Sequence, residues 1–495
     1  MPTPVALPLG DLRPGLARAE HWVLAGGLFA AYTVVSVGRH RRMAGLSWDL
    51  GIFEQVVRAY AQLRAPAADL KGPGFIILGD HFSPVTALLA PLYRLFPSPL
   101  TLLVAQAALF ALSAVPVTRA AARLLGRRGG LALGLAYGLS WGIQRAVDFD
   151  FHEICFAVPL IAFSLEALLA QRPRAALWWA LPLVLVKEDL GLTLTAIALV
   201  VAWRARGSSA RTVRCALGAA VFGVAVTVLV LAVIIPSFNT AGGYDYWTKV
   251  SDAGDPFDGL ATKLRTLAWL LVPTTGLLAL RSPLILVALP TLGWRFLSGD
   301  EHYWGTDWHY SAVLMPVVFL ALTDALPAVR HSTRAWLRSY AVQLPAAVAA
   351  AALTLTTSLP LAQLTGAEVY RKPAAVTGVE RLLARIPDGA TVEANIGPVS
   401  RLTSRCRVFW LGDTRGVAPE YIALENIDGR YRDPAGYARQ LHPLAEYEVA
   451  GDTGGYVLLQ RRTAAGAETG PPEAENEDTG GRDKGAGGWN KGAEG

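Results

Sequence analysis

The chain of 495 residues is 53% hydrophobic and 17% charged, with a formal net charge of +6. That is too apolar for a soluble globular protein and too often interrupted for one simple core, which leaves a polytopic membrane protein. The basic residues cluster at the ends of apolar runs, where membrane topology accounts for them, so no nucleic-acid partner is expected. Cys155, Cys215 and Cys406 lie far apart without a CxxC spacing, and neither a disulfide framework nor a zinc site is signalled.

A membrane-crossing helix needs roughly 20 apolar residues, fewer where it is short or buried in protein. The stretch from Met1 to Glu20 has no cleavable-signal pattern, and residues 1–21 are read as a cytoplasmic N-terminus before a retained first span or signal anchor. Candidate spans are 22–38, 99–118, 130–147, 154–170, 175–187, 190–203, 213–236, 264–280, 283–298, 310–327 and 340–360. This predicts an all-α polytopic domain over 22–360 with about eleven transmembrane helices. The segment from His81 to Phe96 is apolar but carries Pro84 and Pro91 and ends at Pro97, so it reads as interfacial or re-entrant. Arginine-bearing loops after 118, 170, 203, 280 and 327 fall inside if Met1 is cytoplasmic; Arg39, Arg41 and Arg42 alone argue the other way.

That orientation collects the polar clusters on the outer face. The first is Ser47-Trp48-Asp49-Leu50-Gly51-Ile52-Phe53-Glu54-Gln55, where Asp49, Phe53, Val56 and Tyr60 share one helical face. An acid on the buried side of a helix beside a bilayer is a site candidate; helix capping is the other reading. Glu54 points elsewhere, to a supporting or surface position. Asp148-Phe149-Asp150-Phe151-His152-Glu153 puts Asp148 and His152 on one face if helical, and adds Asp150 if extended, which suits a divalent cation or an oriented base; an interfacial loop with solvated acids is the alternative. Lys187-Glu188-Asp189 interrupts an apolar run, either as a helix broken at a polar cavity or as a tight loop. In Asp300 to Tyr310, Trp304, Trp308 and Tyr310 read as interface anchors, whereas His302 and His309 suit phosphate or metal. Asp80-His81 is equally compatible with a site and with a turn. The loop 237–263, with Tyr244, Asp245, Tyr246 and Trp247, reads as a cleft cover or a spacer.

After Pro360 the texture changes. A helix over 376–386 and strands at Thr391 to Ile396, Arg407 to Leu411 and Tyr421 to Leu424, with a hairpin near 446–460 turning at Gly454-Gly455, predict a small α/β domain over 361–462. An odd number of spans makes it extracytoplasmic. From 463 to 495 the composition predicts a disordered tail. No Walker loop, GxSxG elbow or dinucleotide fingerprint occurs in a credible setting, which argues against an ATP-driven pump, a serine hydrolase and a nicotinamide enzyme.

In their order, Trp48 to Gln55, Asp80-His81-Phe82-Ser83-Pro84, Asp148 to Glu153 and Lys187-Glu188-Asp189 resemble an uncharacterised family of bacterial predicted membrane proteins known as a domain of unknown function. The resemblance covers roughly residues 20–460. That family is similar to the GT-C superfamily of polytopic membrane glycosyltransferases, which take sugars from polyprenyl-phosphate carriers. The resemblance implies a GT-C-like fold in the bacterial plasma membrane, a polyprenyl-phosphate-linked sugar donor, a glycan, lipid or protein acceptor, and an acid just after the first span as catalytic base. Asp49 matches that location, although it stands alone rather than in an adjacent acidic pair. Substrate-binding candidates are Glu54, His81, Asp148, His152, Lys187, Glu188 and His309; Asp148, Asp150 and Glu153 are candidates for a divalent metal ion. The readings from other classes are a transporter or flippase with these charges along its pathway, and a non-catalytic envelope protein.

Overall fold

The computed structural model describes residues 14–239 and 257–462. The aromatic loop around Tyr244, Asp245, Tyr246 and Trp247, the expected disordered tail from Thr463 and residues 1–13 lie outside the described residues. Five helices are long and apolar enough to cross a membrane: Ala19–Arg41, Pro99–Leu125, Ala210–Phe238, His309–Arg330 and Ala335–Thr356. Shorter apolar helices cover Ile154–Leu169, Leu190–Ala205 and Pro283–Leu297. The chain is a multi-pass membrane protein.

Two of the long helices form the centre and two the rim. His309–Arg330 and Pro99–Leu125 have 83% and 67% of their apolar windows buried in protein, against 28% for Ala210–Phe238 and for Ala335–Thr356. The rim helix exposes Val221, Phe222, Val224 and Val228, as a surface solvated by lipid rather than water requires. Close packing does the rest: Gly191 and Gly223 let two helix backbones touch, with the Thr195 hydroxyl donating to the Ala220 carbonyl at 3.0 Å.

The expected span 130–147 is two helices, Arg127–Gly138 and Trp141–Asp148. The break is stabilised by the fully buried Gln144. Its amide donates to the Leu139 carbonyl at 2.6 Å and to Thr356 at 3.0 Å, while its oxygen accepts from the Leu361 N–H at 3.0 Å. A side chain can satisfy backbone groups freed inside a membrane bundle, so a continuous apolar run need not be a continuous helix. The region after Asp80 forms a 3-10 turn over Pro84–Leu89 and a short helix, Ala90–Leu95, with Leu88, Leu92, Leu95 and Phe96 exposed. At the opposite end of the spans, Glu166 gathers Arg123 at 3.0 Å, Arg119 at 3.1 Å and Arg172 at 3.3 Å, one buried carboxylate organising three arginines.

The C-terminal strands are β1 (Thr391–Ala394), β2 (Arg407–Trp410), β3 (Tyr421–Glu425), β4 (Tyr447–Thr453) and β5 (Tyr456–Arg461), in the spatial order β2-β1-β3-β5-β4. β1 runs parallel to β2 and β3, and the β4–β5 hairpin joins antiparallel through β5. The hairpin turns at Gly454 and Gly455, both at positive φ where glycine avoids the cost of a side chain. Helices Ala374–Leu383 and Ile396–Leu402 cover the sheet, the second unforeseen from the sequence.

One helix belongs to both cores. Trp48–Ala61, here α2, places Leu50, Phe53 and Val57 in the core of the membrane bundle and Ile52 and Val56 in the core of the sheet, with Val392, Val399, Val408 and Leu458. Polar side chains fix the seat. Gln55 donates to the Val408 carbonyl at 2.8 Å and accepts from the Leu70 N–H at 3.1 Å; Arg58 donates to the carbonyls of Thr403 and Cys406. Asp69 pairs with Arg407 at 2.9 Å, and a side chain on Gly51 would collide with Val399.

Glu54 is overturned as a surface residue. It is fully buried at this seam, where Tyr93 donates to one carboxyl oxygen at 2.9 Å and Thr403 to the other. Burial, opposed by those two hydroxyls, raises its carboxyl to about 7. A carboxyl raised on folding contributes stability that is full below its unfolded value and is lost as pH rises through the folded one. Glu54→Gln is therefore expected to leave thermal stability in detergent nearly unchanged at pH 5 and to raise it at pH 8, by on the order of 2–3 kcal/mol. Melting curves of the two proteins that stay parallel from pH 5 to 8 would refute this.

Candidate functional site

The site begins at the first turn of α2. Ser47 precedes the helix at φ 60°, a left-handed conformation that costs a non-glycine residue about 1–2 kcal/mol. It makes no side-chain cap; its hydroxyl lies 2.8 Å from that of Ser400. The helix N-terminus is served from elsewhere: the Ser47 and Leu50 N–H groups donate to the carboxyl of Asp150. Asp49 is thus freed from capping and sits half-buried in the first turn, where the helix dipole favours its negative charge. No hydrogen bond engages its carboxyl among the described residues. Burial pushes it above the usual range, against the pull of His152 and His81.

Around Asp49 stands a polar cluster drawn from four other segments. His152 and His309 stack with ring centroids 3.7 Å apart and planes at 24°. His81 lies 6.2 Å from the His152 ring, and Phe53 of α2 packs edge-on to both. His152 Nδ1 is 2.7 Å from Glu153, and Lys187 Nζ reaches the other Glu153 oxygen at 3.0 Å and Glu188 at 3.8 Å. Glu188 in turn accepts from the Phe82 N–H at 3.3 Å. Asp80 holds His81 at 2.8 Å and Lys71 at 2.9 Å. Although burial opposes ionisation, those partners keep Asp80 well below the carboxylate range and His81 above the imidazole range. Glu153 is likewise held low, by His152, Lys187 and His81 against its burial.

Asp49, His81, His152, Lys187, Glu188 and His309 are therefore neighbours. Asp148 and Asp150 are not part of this group. The helix Trp141–Asp148 ends on Asp148, and Phe149 turns sharply, so neither helical nor extended periodicity holds across the segment. Asp148 turns to Arg39 at 3.2 Å and Gln363 at 2.9 Å. Asp150, raised to about 8 by burial and by Asp49, serves the α2 N-terminus. Nor do Asp148, Asp150 and Glu153 converge as a ligand set. Among the described residues the one group of three whose ligand atoms all lie within 4.8 Å of one another is Asp49, His152 and His309.

Three positioning residues were not singled out from the sequence. Gln106, buried inside the Pro99–Leu125 span, donates to the Asp150 carbonyl at 2.6 Å and accepts from the His152 N–H at 3.0 Å, pinning that loop at both ends. Arg295, fully buried, donates to the carbonyls of Tyr303 and Gly305 and to Ser311, and so shapes the loop that carries His309. Lys71 supports Asp80. A lone glutamine in an apolar span was the available signal for the first; the other two look like ordinary interfacial cations. Trp304 is no membrane anchor: it is buried, its ring nitrogen donating to Ser298 at 2.7 Å. His302 pairs with Asp300 on the exposed side of the same loop.

The fold is similar to that of ArnT from Cupriavidus metallidurans. The crystal structure bound to undecaprenyl phosphate gives a TM-score of 0.56 at 16% identity, covering 90% of this chain and 99% of that one. The apo crystal structure gives 0.51 at 16% identity, with 89% and 98% covered. This likeness of fold matches the GT-C similarity expected from the sequence. No curated protein matches the sequence. Residues 39–433 match the family described as predicted membrane protein (DUF2079). The chain belongs to the DUF2079 family of predicted membrane proteins.

Proposed function

We propose that the protein is a membrane glycosyltransferase that moves a sugar from a polyprenyl-phosphate donor to an acceptor hydroxyl on the extracytoplasmic face of the bacterial plasma membrane. The observation that carries this is the half-buried Asp49, free of capping duty, facing a cluster of imidazoles and Lys187. The fold resemblance to ArnT, whose crystal structure holds undecaprenyl phosphate, supports the donor class. Asp49 takes the acceptor proton as the hydroxyl oxygen attacks the anomeric carbon. The bond from that carbon to the phosphate oxygen breaks with its electron pair on the phosphate, and configuration inverts. Lys187 and His81 are the cations nearest the leaving charge, and their ion pairs with Glu153 and Asp80 hold them in place before the substrate arrives.

Orientation follows from the charge pattern. We read about eleven passes, counting the short and broken helices, with residues 361–462 as an extracytoplasmic module. Arg39, Arg41 and Arg42 oppose the positive-inside pattern; Arg39 pairs with Asp148 and Arg42 donates to Gln363 on the site side.

Three outcomes are expected. Membranes carrying the protein transfer label from a polyprenyl-phosphate sugar, and Asp49→Asn lowers the rate by roughly 10²–10⁴-fold while the yield of folded protein is unchanged; no protein-dependent transfer across a broad donor panel would overturn the reading. Lys187→Ala lowers kcat/KM for the donor by roughly tenfold or more; an unchanged kcat/KM would remove Lys187 from stabilising the phosphate. In a Cys215→Ala background, Leu444→Cys on the fully exposed surface of the sheet domain reacts with an impermeant maleimide in intact spheroplasts. Labelling only after lysis would invert the orientation.

A further inference from the structure

We infer that Asp49, His152 and His309 form a site for one divalent transition-metal ion, with zinc as the best-fitting occupant. Their ligand atoms lie mutually within 4.8 Å, and both imidazoles are only 4% exposed. Tetrahedral ligands around zinc sit about 3.4 Å apart, so small side-chain movements, of roughly 1 Å, close the set on an ion.

Three further observations point the same way. The two rings stack with centroids 3.7 Å apart, which brings an imidazole nitrogen of each to the same side of the Asp49 carboxyl. His309 Nδ1 is buried without a hydrogen-bond partner among the described residues, a cost that an ion would remove. Behind His152 stands Glu153, 2.7 Å from Nδ1 and itself anchored by Lys187. The pair is close but lacks hydrogen-bond geometry; a small turn of the ring would align it, giving the carboxylate support that orients metal-ligating histidines and leaving Nε2 for the ion. Two nitrogens and one oxygen favour a borderline metal such as zinc over magnesium or calcium, which prefer all-oxygen shells. Three protein ligands keep a coordination position open for a substrate oxygen. Ligation through one Asp49 oxygen leaves the other to accept a proton, so the ion and the base occupy the same cleft. Metal binding itself does not depend on glycosyl transfer.

The test uses the full chain purified in detergent with a tag free of histidine, stripped with a chelator, then equilibrated with zinc, cobalt or magnesium. Elemental analysis is expected to find about one zinc or cobalt per chain and no retained magnesium, and cobalt to give the intense visible bands of a low-coordinate nitrogen and oxygen site. His309→Ala, His309→Gln and His152→Ala are each expected to weaken zinc binding by at least about tenfold, with His302→Ala, outside the cluster, as the unchanged control. Gel filtration confirms that each variant remains folded. Wild-type protein that keeps no stoichiometric zinc, or folded His309 variants that bind it unchanged, would overturn the site. Zinc binding without sugar transfer would instead count against the proposed function alone, and sugar transfer by a protein that binds no zinc against the metal site alone.

Discussion

The structure depends on a single helix that must bury two opposite faces. α2 gives Leu50, Phe53 and Val57 to the membrane bundle and Ile52 and Val56 to the sheet. Such a helix cannot be moved or rotated without exposing apolar surface on one side or the other, at about 25 cal/mol for each square ångström returned to water. Gly51 removes the remaining slack, because any side chain there meets Val399. The residue at the polar entrance of α2, Asp49, therefore inherits a fixed position from packing that has nothing to do with chemistry. Its neighbours reach it from loops that are themselves pinned by buried polar groups, Gln106 for His152 and Arg295 for the His309 loop.

The acids around the site divide according to what each must satisfy. Asp80 and Glu153 have cationic partners and stay charged, forming a preset electrostatic frame. Asp148 neutralises Arg39, and Asp150 caps α2 from a distance. Glu54 seals the seam between bundle and sheet. Only when these roles are assigned does Asp49 stand out, as the acid whose carboxyl is left facing the imidazoles. Burying so much charge beside a bilayer is costly unless each group is paired.

Much of the plan was readable from the chain. The change from long apolar runs to short segments after Pro360 marked the sheet, and the predicted strand positions fall within a few residues of β1 to β5 because those short apolar segments are bounded by glycine, proline and polar turn residues. The short helix Ile396–Leu402 was missed: only seven residues long, it contains both Gly397 and Pro398 and has no side-chain cap to announce it. The broken span at Leu139 was missed for a similar reason, since the group that stabilises it, Gln144, acts on Thr356 and Leu361 far along the chain.

For the site, sequence determined which residue types were present and which stretches of chain carried them, because charge in an apolar run is conspicuous and membrane insertion sorts it to the ends of spans. It could not determine which acids and histidines meet. Asp148 and His152 are close in sequence yet diverge, as the helix ends between them, whereas Asp49, His152 and His309 come from three distant segments and converge. Periodicity governs neighbours within one element; convergence between elements is decided by how their apolar faces pack, and here that decision lay with α2.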